Sequence, residues 1–244
     1  MSEKRRILVY GAAGGIGSAL CRRLHAQGVQ LHLVSRTEST LSALAQEVEA
    51  TYTVGDVTDV ALFSKVAQEA GEPLDGLVYA VGTITIRSLP RLTEADFLTD
   101  FRVNALGAAL AVQSALPALK KSAGVASVVL FSSVAASQGF TNHASIGMAK
   151  GAVSALTLAL AAELAPKVRV NAIAPSLTRT PLGENLLGSE QMAASIAALH
   201  ALQRLGEAKD VAALAAFLLS PEADWISGQI IGVDGGRSTL RTKG

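Results

Sequence analysis

The residues with the plainest chemical potential begin at Gly11. The stretch Gly11-Ala12-Ala13-Gly14-Gly15-Ile16-Gly17 follows the apolar run Ile7-Leu8-Val9-Tyr10 and opens a segment of helical period. A glycine turn alone says little. Set between a strand and a helix at the start of a βαβ unit, it reads as a phosphate cradle. The first glycine permits the sharp turn, and the later ones let backbone approach a pyrophosphate and let helix pack on strand. The helix N-terminus then offers unpaired N–H groups to the anion. At the end of the second apolar run stand Ser35 and Arg36, where an NAD-selective domain would carry a carboxylate. A small hydroxyl and a guanidinium would hold a 2′-phosphate that a carboxylate repels. NADP(H) is therefore expected in preference to NAD(H), with a solvated surface arginine as the plain alternative for Arg36.

These groups need a scaffold, and the pattern supplies one. Strands are predicted at Ile7–Tyr10, Leu31–Ser35, Thr51–Val54, Leu77–Val81, Val125–Ser132, Val168–Ala174 and Gln229–Val233. Between them fall helical segments at Gly15–Gln27, Glu38–Glu49, Val60–Ala70, Thr93–Lys121 with a break near Asn104, Ile146–Leu164, Glu190–Ala201 and Asp210–Leu219. The wholly apolar run before Ser132 suits a parallel sheet covered on both faces. The rhythm implies right-handed crossovers and one α/β, Rossmann-type doubly wound domain over 1–244, with seven parallel strands in the order 3-2-1-4-5-6-7.

Composition excludes other classes. With 50% hydrophobic and only 4% aromatic residues, the 244-residue chain suits small-residue helix–sheet packing rather than a β-sandwich. A net charge of +1 gives no field for nucleic acid or an acidic membrane surface. One cysteine, Cys21, rules out an internal disulfide framework; it reads as a small core residue in a reducing, cytoplasmic setting. Lys4-Arg5-Arg6 before an apolar run imitates a signal peptide, but Gly11, Gly14, Gly15 and Gly17 break the run. No apolar window is expected to reach the ~20 residues of a membrane span.

The G-x-x-x-G-x-G spacing resembles that of the short-chain dehydrogenase/reductase family, and the resemblance continues down nearly the whole chain. It implies that Gly11, Gly15, Ile16 and Gly17 hold pyrophosphate and that Asp56-Val57 meets the adenine ring. Asp56 has a second reading, as a cap for the helix that follows. Gly82 matches the glycine after the fourth strand, Asn104 the helix-interrupting Asn, Ser133 the catalytic serine and Lys150 the lysine that reaches the nicotinamide ribose. Pro175, Thr178 and Thr180 match the nicotinamide loop, and Ser227-Gly228-Gln229 with Val233-Asp234-Gly235-Gly236 the last strand.

One position breaks the pattern. The family moves a hydride between nicotinamide and a carbonyl or alcohol carbon, and a tyrosine handles the proton, its pKa of about 10 lowered by the lysine cation. That tyrosine lies thirteen residues after the serine and four before the lysine. From Ser133 and from Lys150 alike the count lands on Ile146, which can neither give nor take a proton. Removing a positioned acid–base group forfeits about 10²–10⁴-fold in rate. His143, seven residues before Lys150, stands at the offset of the tyrosine in the enoyl reductase branch and is a competent acid near neutral pH, though a residue just before a helix also serves as a cap. Tyr79 more simply packs. Other departures are Tyr79-Ala80-Val81-Gly82 in place of Asn-Asn-Ala-Gly, and Ser176 in place of glycine after Pro175.

Between 181 and 202 a small lid is expected over the substrate; Leu182, Leu186, Leu187, Met192, Ile196 and Leu199 make it apolar. Trp225 is assigned to a subunit contact or the core. The family's habits imply a homodimer or homotetramer through Leu106–Leu116, Gly147–Ala162 and the last strand. Two functions stay open: an NADP(H)-dependent oxidoreductase with altered proton delivery, acting on a small apolar carbonyl, alcohol or enoyl compound, and a non-catalytic NADP(H)-binding regulator or scaffold. Neither needs a metal, a membrane or nucleic acid.

Overall fold

Each short apolar run becomes a strand and each amphipathic segment a helix, over the residues that the computed structural model describes, 4–184 and 186–242. The expected unit also takes in 1–3, 185 and 243–244, which lie outside the described residues. β1 (Arg6–Tyr10) leads to α1 (Gly15–Ala26), β2 (Gln30–Ser35) to α2 (Glu38–Glu47), β3 (Thr51–Val54) to α3 (Ala61–Ala70) and β4 (Gly76–Tyr79) to α4 (Glu94–Phe101). A π-helical turn, Arg102–Leu106, joins α4 to α5 (Gly107–Lys120). Then come β5 (Ala126–Phe131), α6 (Ala144–Leu164), β6 (Val168–Pro175), β7 (Thr178–Arg179), α7 (Pro181–Glu184), α8 (Glu190–Ala197), β8 (Gly206–Glu207), α9 (Ala208–Leu219) and β9 (Ile230–Val233).

Seven strands form one parallel sheet in the order β3-β2-β1-β4-β5-β6-β9. The seventh is ninth in chain order because β7 and β8 pair only with each other, a ribbon too short to be predicted. The domain is thus the expected single Rossmann-type α/β unit. Alternation along the strands splits the core in two. Leu8 and Tyr10 of β1 face Val66 of α3, Ala111 of α5 and Val153 of α6, whereas Ile7 and Val9 face Leu20 of α1, Leu41 of α2 and Ala215 of α9.

Local chemistry sets the element ends. Thr93 and Asp96 form a reciprocal capping box at the start of α4, and Glu49, at φ 50°, stops α2 two residues short of the expected end. Three expectations need correction. α6, at 21 residues, is long and apolar enough by length and composition to cross a membrane; here it packs on β6 and α4. Trp225 is 96% exposed and so is no part of the core. Asp56 does not bond the first turn of α3: its Oδ1 accepts from the amide (2.8 Å) and hydroxyl (2.7 Å) of Thr58, while Asp59 takes the Ala61 amide at 3.0 Å. Cys21 is buried as expected, and burial pushes its thiol up to about 12.

Candidate active site

The loops after β1, β4, β5 and β6 all leave the C-terminal edge of the sheet, where strand order reverses between β1 and β4, the usual crevice for a ligand in such folds. Gly11 turns there at φ +76°, and a Cβ on it would lie 2.6 Å from the Ala80 carbonyl oxygen. A Cβ on Gly17 would lie 2.2 Å from the Gly11 oxygen. Both must be glycine for α1 to seat against the turn. Gly14 heads α1 with no side-chain cap, so the first-turn amides of Gly15, Ile16 and Gly17 have no intrahelical acceptor. That donor set fits a dinucleotide pyrophosphate.

At the ends of β2 and β3, Ser35 is half-buried and Arg36 exposed. The Arg36 guanidinium stands 3.7 Å from the Asp56 carboxylate. The Thr58 amide and hydroxyl, then Arg36, hold that carboxyl below the usual range. Val57 beside it is buried. None of these four lines the cavity that follows.

That cavity, of about 370 Å³, gathers the rest. Ile16 and Gly82 border it, as do Asn104, Ser133, His143, Ile146 and Lys150, and Pro175, Thr178 and Thr180 close the side nearest β7. A Cβ on Gly82 would lie 2.9 Å from Asn104 Oδ1 and 3.6 Å from Lys150 Nζ, so amide and ammonium flank that glycine. Asn104, in the π-helical turn, donates from Nδ2 to the carbonyls of Asp100 (2.8 Å) and Thr83 (3.2 Å); its buried Oδ1 has no partner among the described residues. Lys150 is buried and donates to the Phe131 carbonyl at 2.8 Å. Burial pushes its pKa down to about 8 against the opposing pull of Asp100.

Ser133 heads the 3₁₀ turn Val134–Ala136, its Oγ accepting from the Ala135 amide at 3.1 Å, which leaves the hydroxyl proton free to donate. His143 precedes α6 without capping it by side chain; its Nδ1 lies 2.7 Å from the Thr141 carbonyl and its ring rests against Phe140. Ile146 is 3% exposed, one helical turn before Lys150. Tyr79 packs as expected, donating to the Val103 carbonyl at 2.7 Å. Of the apolar lid positions, Leu182, Leu186, Ile196 and Leu199 line the cavity.

Sequence reading missed three parts. Asp100 is fully buried and accepts from Thr83 (2.9 Å), Thr85 (3.3 Å) and Ser145 (2.6 Å), tying the β4 loop, α4 and the start of α6 together beneath Asn104. Ser176, on the cavity wall, pairs with buried His200. The His200 Nδ1 lies 2.9 Å from the Ile196 carbonyl, which can only accept, so Nε2 takes the Ser176 hydroxyl at 2.8 Å. Arg237 also lines the cavity, its guanidinium 5.5 Å from the Phe140 ring centre. A Ser–His pair 24 residues apart carries no local signal; Arg237 sits directly after a recognised motif.

A family model described as enoyl-(acyl carrier protein) reductase matches residues 11–238. The chain is 33% identical over 235 residues to an L-xylulose reductase of Bos taurus, covering 95% of this chain and 96% of that one. A solved short-chain dehydrogenase/reductase of Brucella melitensis superposes with a TM-score of 0.90 at 31% identity, covering 98% of each chain. A variant of an actinorhodin polyketide ketoreductase, solved with NADPH, superposes with a TM-score of 0.90 at 25% identity over 97% of this chain and 98% of that one. With a glycine turn, a crevice and relatives that agree from end to end, this chain belongs to the short-chain dehydrogenase/reductase family of nicotinamide-dependent oxidoreductases.

Proposed function

We propose that this chain is an NADP(H)-dependent oxidoreductase working on a small, largely apolar carbonyl, alcohol or enoyl compound, with Ile146 at the place of the family's proton-handling tyrosine. The single observation that carries this reading is one shared cavity: Lys150, Asn104 and Ser133 meet there with Ile16, Pro175 and Thr180 of the cofactor side. The dinucleotide, when bound, supplies or accepts the hydride. The first-turn amides of α1 hold its pyrophosphate, Ser35 and Arg36 its 2′-phosphate, and Lys150 its ribose hydroxyls. Ser133 donates to the substrate oxygen. The proton comes from a group other than residue 146: from His143, whose Nε2 has no hydrogen-bond partner among the described residues, or through water held by Ser133, Asn104 and Lys150. The segment 181–202 acts as the lid.

Calorimetric titration with NADPH and NADH tests the cofactor half. NADPH should bind about tenfold or more tightly, the worth of one charge-assisted contact, and Arg36→Glu should abolish that preference while sparing NADH. Equal or tighter NADH binding by the wild type would sink it. A second reading, a non-catalytic NADP(H)-binding regulator, draws on the same Ile146: an aliphatic group one turn from the lysine leaves the nearest wall without an acid. Tight NADPH binding with no turnover of any carbonyl or enoyl compound would favour that role; efficient turnover would remove it.

A further inference from the structure

We propose that the substrate carries a carboxylate on an apolar body and that Arg237 binds that carboxylate. This rests on reading the cavity as the substrate site. None of the described residues lining the cavity is an aspartate or glutamate. Among the described residues Lys150 and Arg237 bring positive charge to it, and they differ in their commitments. Lys150 is buried and already donates to the Phe131 carbonyl. The Arg237 guanidinium has no hydrogen-bond or carboxylate partner among the described residues; it lies over the Phe140 ring, whose other neighbour is the His143 ring.

The chain around Arg237 is built to hold it still. Asp234 Oδ1 accepts from the Gly236 amide at 2.9 Å, its Oδ2 from the Ser238 amide at 3.1 Å, and the Arg237 amide donates to the Asp234 carbonyl at 3.0 Å. Gly235 and Gly236 take φ +60° and +81° to form that turn. A side chain stacked on an aromatic face and rooted in a fixed turn keeps its fork of donors preorganised, and a planar carboxylate matches that fork with two parallel bonds. Much of the remaining lining is aliphatic, including Ile84, Ile86, Leu182 and Leu199, with the hydroxyls of Ser133 and Ser176 among it. A neutral sugar would leave such walls unmatched, and a polyanion would have to strip its water against them. A monocarboxylate with an alkyl or aryl body satisfies both the cation and the walls.

The test is equilibrium binding to the full chain, free and saturated with NADPH, of sodium octanoate against 1-octanol and methyl octanoate, followed by calorimetry. Octanoate should bind roughly tenfold to a hundredfold tighter than either neutral analogue, as expected of a charged hydrogen-bonded contact. Arg237→Met should erase that preference, Arg237→Lys should keep part of it, and NADPH affinity should be the same in all three proteins. Equal binding of octanoate and octanol overturns the proposal. So does a preference that survives in Arg237→Met, or a fall in NADPH affinity in that variant, which would assign the guanidinium to the cofactor. Failure of the wild type to bind NADPH would strike the dinucleotide reading alone, because the octanoate comparison on the free chain still decides the role of Arg237.

Discussion

If the proposed reading of the cavity holds, placing a phenol at residue 146 should raise the rate of carbonyl reduction. Ile146 and Lys150 are four residues apart on α6, so they share a face, with Cβ atoms about 5–6 Å apart. The Lys150 ammonium is held by the Phe131 carbonyl and flanks Gly82. A phenol beside it would have its ionised form favoured, as a proton donor at neutral pH requires. Ile146 borders the cavity of about 370 Å³, so a ring at that position extends into open volume; forced into a filled core it would cost about 1–3 kcal/mol. A positioned acid is worth about 10²–10⁴-fold, or about 3–5 kcal/mol of barrier. The assay is NADPH consumption, followed by absorbance, with a panel of apolar ketones and enones for the wild type, Ile146→Tyr and Ile146→Phe. The phenylalanine variant carries the ring without the hydroxyl and separates chemistry from packing. If Ile146→Tyr is no faster than Ile146→Phe, while both bind NADPH as the wild type does and melt within a few degrees of it, the reasoning about residue 146 is wrong. A wild type already as fast as Ile146→Tyr refutes it equally.

Three further outcomes follow from the buried groups. Lys150, with its pKa pushed down to about 8, is charged below that pH and neutral above it; NADPH affinity should fall by about tenfold as pH rises through 8, as titrations at several pH values would reveal, and Lys150→Arg should flatten the profile. His32 is buried between the Thr51 and Thr53 hydroxyls, and burial lowers its pKa to about 4. Its unfolded form takes up a proton at about 6.5, so stability is complete above that pH and is lost as pH falls from there to about 4. Denaturant unfolding should register a loss on the order of 2–3 kcal/mol, absent in a neutral replacement such as His32→Gln. Gly17→Ala would set a methyl group 2.2 Å from the Gly11 carbonyl oxygen; urea melts should show a loss of about 1–3 kcal/mol together with weakened NADPH binding.

Much of this was legible because the relevant signals are local. The glycine turn, the apolar strands and the break at Asn104 are each written within a few residues, and a parallel sheet turns them into neighbours by placing all its loops at one edge. The break at Asn104 could be read, but not its form, since a π-helical turn differs from a kink only in which carbonyl each amide reaches. Contacts far apart in sequence were invisible. Nothing near Asp100 announces that Thr83, Thr85 and Ser145 will donate to it, and the Ser176–His200 pair depends on where α8 ends. Asp56 and Asp59 are equivalent caps by composition; the turn between them decided which one α3 uses. Of the two places expected for Trp225, its position after the turn Pro221–Ala223 faces outward and removes only the core. The apolar character of α6 was underestimated because Lys150 and scattered small residues interrupt it, yet they do not lower its mean hydropathy enough to distinguish a helix packed in a core from a membrane span.

The Asp100 carboxylate has a consequence for how the molecule breathes. Because one side chain gathers donors from the β4 loop and from α6, and lies one turn from the Asn104 amide, the inner wall of the crevice cannot loosen piecemeal. It should exchange its amide hydrogens as a single slow unit, close to whole-chain opening, whereas the half-exposed segment near Leu199 can open many times in between. Access to the cavity is then governed at its rim, with the floor standing unchanged as the rim opens.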